Sequence, residues 1–247
     1  MAGAIRLSCA AVDAIFSAMK IVSDFKAPID VPADGACAGE GDCDLVRPEM
    51  SDRVESVLIT RRLVERRVRA LAAEISAFYR GEKRLELVFI LEGARTFATD
   101  LEKAVYDAGG PEVRSQSIKA RTYGAEIKRE GETGREVRIY HEPTGLEGKR
   151  VLLVEDIVDQ GFTLHAVRDW LFENAGAAEV RVCVLLEKKL RNPTPEVRRL
   201  RQSLKPDWVG FRVPDRWVAG YGVDAGEDFR NLPFVVVVHE ERYLKKA

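Results

Sequence analysis

Residues 151–163 read VLLVEDIVDQGFT, and no other segment constrains the fold so tightly. The apolar run of Val151, Leu152, Leu153 and Val154 has the bounded, valine-flanked character of a strand buried on both faces, and from Phe162 the spacing becomes helical to residue 174. Glu155, Asp156 and Asp159 are therefore delivered to a strand-to-helix turn. In an open parallel sheet such a turn lies at the carboxyl edge, where ligands bind, and Gly161 lets backbone N–H groups close around an anion at the helix start. Phosphate suits that turn, yet three carboxylates would repel a bare anion. The guest should also bring hydroxyl donors, a divalent cation or a proton to be taken. A phosphorylated sugar bound with magnesium meets all three demands. A simple N-cap for the following helix needs one acid, not three around a glycine.

The rest of the chain alternates in the same way. Leu63, Val64, Val68, Leu71, Ala72, Ile75, Phe78 and Tyr79 form one stripe at helical spacing, with Thr60 placed to cap it. Strands are expected at 87–91, 113–120, 137–140, 151–154, 180–186, 207–211 and 234–238, and a helix at 96–107. This alternation predicts an α/β fold, a parallel sheet flanked by helices. The polar, glycine-containing stretch between Tyr123 and Val137 reads as a mobile hairpin.

Composition bounds the function class. With 247 residues and 46% apolar content the chain can bury a sizeable core, and a formal charge of −1 argues against nucleic acid or an anionic membrane as partner. No apolar run is long enough to span a bilayer. Cys9, Cys37, Cys43 and Cys183 have no zinc-site spacing, which suits unpaired thiols in a reducing cytoplasm. Before residue 50 acids outnumber bases, and residues 28–48 are rich in Gly, Asp, Ala and Pro. Residues 1–50 are therefore expected to be a poorly ordered extension, and residues 51–247 the functional domain.

The motif at 151–163 resembles the phosphoribosyl-diphosphate signature of the phosphoribosyltransferases, and its surroundings resemble the hypoxanthine-guanine branch from about Ser51 to Tyr243. The resemblance implies a type I phosphoribosyltransferase fold with a small base-binding hood. It also implies that Glu155 and Asp156 reach the ribose diol and magnesium, and that Gln160, Gly161, Phe162 and Thr163 cradle the 5′-phosphate. Asp159 would lie near purine N7 as the proton acceptor. The family usually reads Thr where this chain has Gln160, whose amide can still donate to phosphate. Arg121-Thr122-Tyr123-Gly124 corresponds to the family's Ser-Tyr-Gly loop, so Thr122 and Tyr123 would close over the reaction and exclude water.

Three further segments carry the resemblance. Glu92-Gly93 falls where the family carries Lys-Gly in its diphosphate loop. Either that loop binds through backbone N–H groups and tolerates Glu92 beside a base such as Arg95, or diphosphate binding is weakened. Lys188 matches the lysine that donates to the exocyclic oxygen at purine C6, which selects 6-oxo over 6-amino purines. In residues 214–224, Trp217 would stack on the purine and Val218 touch it through its main chain. Asp224 matches an acid near a second magnesium, and Arg230 an arginine that grips the leaving pyrophosphate as a planar fork.

The implied reaction moves 5-phosphoribosyl from phosphoribosyl diphosphate to N9 of hypoxanthine or guanine, giving a nucleoside monophosphate and pyrophosphate. Magnesium is the implied cofactor, a homodimer or homotetramer the implied assembly, and the cytoplasm the location. Two alternatives stay open. One is a nucleotide-binding regulator of the same fold with little turnover, to which Glu92, Gln160 and Phe162 point. The other is an enzyme acting on xanthine.

Overall fold

Alternating buried faces along the central strands decide the layers. On the strand that carries the signature motif, Leu152 and Val154 join one apolar cluster while Val151 and Leu153 join a second on the opposite face. Both faces must then be covered by helices, as the continuous apolar run anticipates. The computed structural model describes residues 19–123 and 136–243, with backbone alone at 121–123 and 136. Its strands are β1 (Lys20–Ile21), β2 (Ile29–Asp30), β3 (Ala36–Cys37), β4 (Val54–Ile59), β5 (Arg84–Leu91), β6 (Glu112–Tyr123) and β7 (Glu136–His141). They continue as β8 (Arg150–Val158), β9 (Glu179–Lys189), β10 (Trp208–Pro214), β11 (Val218–Ala219) and β12 (Val235–Val238). The helices of eight or more residues are α1 (Arg61–Phe78), α2 (Ala94–Asp107), α3 (Phe162–Glu173) and α4 (Pro195–Leu204).

The main sheet runs β2-β10-β9-β8-β5-β6-β7 and is parallel except for β7, which returns antiparallel to β6. The expected α/β parallel sheet is present. Helices α1 and α2 cover one face, and α3 with Leu204 of α4 covers the other. A second sheet, β1-β3-β4-β12-β11, forms a hood whose apolar side gathers Val54, Ala219, Phe229, Phe234 and Val236.

Two expectations for the amino-terminal region are corrected. Residues 1–18 lie outside the described residues, but residues 20–37 are not a loose arm. Ile29 and Asp30 pair with Phe211 and Arg212, closing what would otherwise be the exposed edge of β10. Ile29, Val31, Ala36, Cys37 and Ala38 are buried. Thr60 does precede α1, yet its side chain makes no capping bond. Its hydroxyl donates instead to Asp42 Oδ2 at 2.6 Å, while Asp44 Oδ2 accepts the Arg61 N–H at 2.6 Å. An acid from the arm thus takes over the capping role.

Candidate active site

The acid pair lies inside the sheet. β8 was expected to end at Val154, but its ladder with β9 continues through Glu155, Ile157 and Val158, opposite Val184, Leu186 and Glu187. Glu155 and Asp156 are therefore only 6% and 8% exposed. Burial, and then the neighbouring Asp156 carboxylate, push the Glu155 carboxyl well above the ordinary glutamate range, which favours its protonated form. Asp159 is the acid that clears the strand, and its side chain is half exposed. Glu155, Asp159, Gln160, Gly161, Phe162 and Thr163 together line a cavity of about 180 Å³. That is enough room for a phosphate-sized group.

The turn around this cavity is held from below. Gly161 adopts φ +94° as the residue before α3, a conformation costly for a side chain, and an added Cβ would sit 2.9 Å from Leu204 Cδ1. Gly93 answers a different need. A Cβ there would fall inside the Asp156 carboxylate, so the loop after β5 passes this close to β8 only as glycine. Gly222 in turn leaves no room for a Cβ against the Gly93 carbonyl, which brings the hood to the same point. The Leu91–Glu92 peptide is cis.

Glu92 is not a lone carboxylate beside this loop. Arg95 Nη2 lies 3.1 Å from one of its oxygens and Lys119 Nζ 3.3 Å from the other. Register explains the second contact, because Leu91 at the end of β5 is paired with Lys119 on β6. Two cations around one acid leave the loop with a local surplus of positive charge.

Beyond the turn, Lys188 Nζ donates to Asp159 Oδ2 at 3.0 Å. These residues are 29 positions apart, and β8 and β9 bring them together at the carboxyl edge. In the hood, Asp224, expected near a second magnesium, and Arg230, expected to hold the leaving pyrophosphate, form one ion pair at 2.7 Å. Arg230 Nη1 also donates to the Gly222 carbonyl at 2.8 Å. The half-buried Trp217 lies with its ring centroid 5.8 Å from that of Tyr243, and its carbonyl accepts from the Val238 N–H at 3.0 Å. Val218 is buried in β11, opposite Val237 of β12. Thr122 and Tyr123 end β6, while their side chains, and all of residues 124–135, lie outside the described residues.

Sequence reading overlooked two parts of this arrangement. Helix α4 was not expected, and from it Arg201 donates to the carbonyls of Val158 and Asp159. The Tyr221 hydroxyl donates to Asp100 Oδ2 at 2.7 Å, tying the hood to α2. Neither pattern has a local signal, since each bond joins residues more than forty positions apart.

An acid-lined turn beside a phosphate-sized cavity, a glycine loop packed on buried carboxylates and a β-hood over a parallel sheet fit a phosphoribosyltransferase. The family model for the phosphoribosyl transferase domain matches residues 57–225, and the chain belongs to this family. The hypoxanthine-guanine phosphoribosyltransferase of Aquifex aeolicus is 34% identical over 193 residues, covering 78% of this chain and 99% of the relative. The hypoxanthine-guanine-xanthine phosphoribosyltransferase of Tritrichomonas foetus is 31% identical, covering 78% and 97%. Among solved structures, the hypoxanthine phosphoribosyltransferase from Staphylococcus aureus aligns with a TM-score of 0.66 at 27% identity, covering 81% of this chain and 99% of that one. Within the family this chain sits in the hypoxanthine-guanine branch.

Proposed function

We propose that the protein is a purine salvage enzyme that transfers 5-phosphoribosyl from phosphoribosyl diphosphate to N9 of hypoxanthine or guanine, giving IMP or GMP and pyrophosphate. The observation that carries this reading is the Lys188–Asp159 contact of 3.0 Å beside the phosphate-sized cavity. A donor and an acceptor so close can serve the neighbouring O6 and N7 of one 6-oxopurine edge. The names of the relatives agree with this reading.

In this mechanism Lys188 donates to the oxygen at C6, and Asp159 takes or shares the N7 proton as N9 attacks the anomeric carbon. Backbone N–H groups of residues 160–163 hold the 5′-phosphate at the start of α3. Glu155 and Asp156 orient the ribose hydroxyls. Gly93 lets the diphosphate loop lie against them, with Arg95 and Lys119 offsetting the Glu92 carboxylate. Arg230 grips the leaving pyrophosphate, exchanging its pairing with Asp224 for phosphate oxygens. Trp217 stacks on the base, Val218 meets it through its main chain, and Thr122 and Tyr123 belong to the loop that excludes water. Most of the acceleration then comes from positioning and charge.

Magnesium fits the donor set. Burial and then the neighbouring Asp156 charge hold the proton on Glu155, a strain that a cation relieves, and Asp224 offers a further carboxylate. Among the described residues no group of three or more acid, histidine or cysteine side chains could hold a metal, so substrate oxygens and water must complete the shell. With Glu155 and Asp156 at one magnesium and Asp224 at a second, the metal would neutralise charge on the diphosphate. The same reading keeps a homodimer or homotetramer as the assembly and the cytoplasm as the location, where the free thiols of Cys37, Cys43 and Cys183 stay reduced.

The test is pyrophosphate release from phosphoribosyl diphosphate with magnesium and, in turn, hypoxanthine, guanine, xanthine, adenine and uracil. Turnover is expected with hypoxanthine or guanine and not with adenine or uracil. The xanthine arm matters because one relative's name includes that base. Absence of turnover with every base, alongside measurable binding of a nucleoside monophosphate, would leave a regulator.

A further inference from the structure

We propose that Arg201 is a positioning residue for purine recognition, setting the spacing between Asp159 and Lys188 from the far side of the sheet edge. The inference rests on the functional reading above and deepens it.

Arg201 Nη1 donates to two consecutive carbonyls, Val158 at 3.1 Å and Asp159 at 2.5 Å. Its Nη2 donates to Glu187 Oε1 at 3.1 Å, and Arg212 Nε holds the other Glu187 oxygen at 3.1 Å. Glu187 is paired in register with Val158 and immediately precedes Lys188. One guanidinium is therefore bonded both to the main chain that bears the proposed proton acceptor and to the residue beside the proposed base donor. The arrangement is well protected, with Arg201 and Glu187 side chains 19% and 20% exposed.

The helix that carries Arg201 is itself fixed. Thr194 caps α4 by accepting the Val197 N–H at 3.2 Å, and Pro195 follows as its first residue. Leu204 is buried with α3 in the same apolar cluster, and Arg168 of α3 donates to the Ser203 carbonyl at 3.3 Å. Leu204, Leu200 and the Arg201 stem pack under Gly161, whereas the Arg201 guanidinium supports Asp159. Two jobs are thus divided between the apolar atoms of α4 and one guanidinium. Loss of the guanidinium should free the Asp159 main chain without emptying the apolar seat under the phosphate turn.

Arginine suits the post for a chemical reason. Only a planar fork can serve two carbonyls on one side and a carboxylate on the other; a lysine ammonium is a point donor that cannot span them. A base read by one donor and one acceptor is sensitive to their separation, and misplacement by about 1 Å can cost as much as 10²-fold.

The experiment compares the wild type with Arg201→Gln, Arg201→Lys and the exposed-site control Arg199→Ala, measuring KM separately for purine and for phosphoribosyl diphosphate. Arg201→Gln should raise the purine KM by about 10-fold or more, with the phosphoribosyl diphosphate KM near its wild-type value and a melting temperature close to wild type. Arg201→Lys, which keeps charge and stem, should recover only part of the loss, and it carries the same comparison if the glutamine variant does not fold. Arg199→Ala should behave as wild type. An unchanged purine KM, or an equal rise in both KM values, overturns the inference while leaving the enzyme reading intact. Wild-type protein with no turnover would instead overturn the functional reading itself.

Discussion

Glu92 stands where the family pattern has lysine, and two cations from different elements close on it. Arg95 is three residues on, so that contact could be anticipated from spacing; Lys119 comes from a neighbouring strand, and only the β5–β6 register reveals it. Exchanging Glu92 for lysine would set three cations side by side. Both lost pairs are partly exposed, so Glu92→Lys should cost only about 1 kcal/mol or less in a denaturant melt, with pyrophosphate inhibition altered little. Strengthened pyrophosphate inhibition would mean that the carboxylate does oppose the diphosphate. Asp159 behaves differently, because its side chain is half exposed and an amide oxygen in its place can still accept from Lys188, which is only 13% exposed. Asp159→Asn should lower turnover by roughly 10²-fold or more with little change in melting temperature. An unchanged rate would remove it from the mechanism.

Among elements, contacts between loops and strands matter more than the elements' own lengths. A methyl group at Gly93 would collide with the Asp156 carboxylate, so Gly93→Ala must push apart the loop after β5 and the end of β8. A fall of about 10² in kcat/KM is expected in steady-state assays. At the other edge of the sheet, the start of β9 shows a pH-dependent tie. Hydrogen bonds from Arg150, and then from Arg181, hold the Glu179 carboxyl below its ordinary value of 4.5. Since the unfolded chain binds the proton more readily, Glu179 stabilises the fold above that value and loses its effect as the pH falls through the folded pKa. Glu179→Gln should therefore melt lower than wild type at neutral pH, by no more than about 1 kcal/mol after solvent screening, with the gap closing in acid.

Legibility at this scale followed apolar content. The central strands and α1 announce themselves through long apolar periods, whereas α4 places only Val197, Leu200 and Leu204 among its charged and polar neighbours. The strands of the arm are two residues long, too short for any period to show. The acid pair was legible as chemistry but not as burial, because nothing local indicates that β8 runs past Val154.

For the molecule as a whole, the residues between 19 and 50 bear on how much of the chain the fold needs. The family match begins at residue 57, and a composition rich in Gly, Asp and Pro points to a dispensable tail. The packing points the other way. Arg67 of α1 is fully buried and spends its guanidinium on the carbonyls of Phe25, Val209 and Gly210, so the arm and β10 share one cation. Asp42 accepts both the Ala38 N–H and the Thr60 hydroxyl, and Asp30 pairs with Lys189 at 2.5 Å, next to Lys188. Ile29 and Val31 are buried, and at ~1.5–3 kcal/mol for each large apolar side chain their exposure alone would remove ~3–6 kcal/mol. A domain of this kind has only about 5–15 kcal/mol to lose. A chain beginning at residue 51 should therefore show a urea midpoint far below that of the full chain, or fail to fold. A chain beginning at residue 19 retains every described contact of the arm. Equal midpoints for the full chain and the chain cut at 51 would return the arm to the status of a tail. If only the cut at 51 falls, the hypoxanthine-guanine scaffold in this protein extends beyond the matched segment, with the added strand β2 supporting the sheet edge from which Lys188 projects.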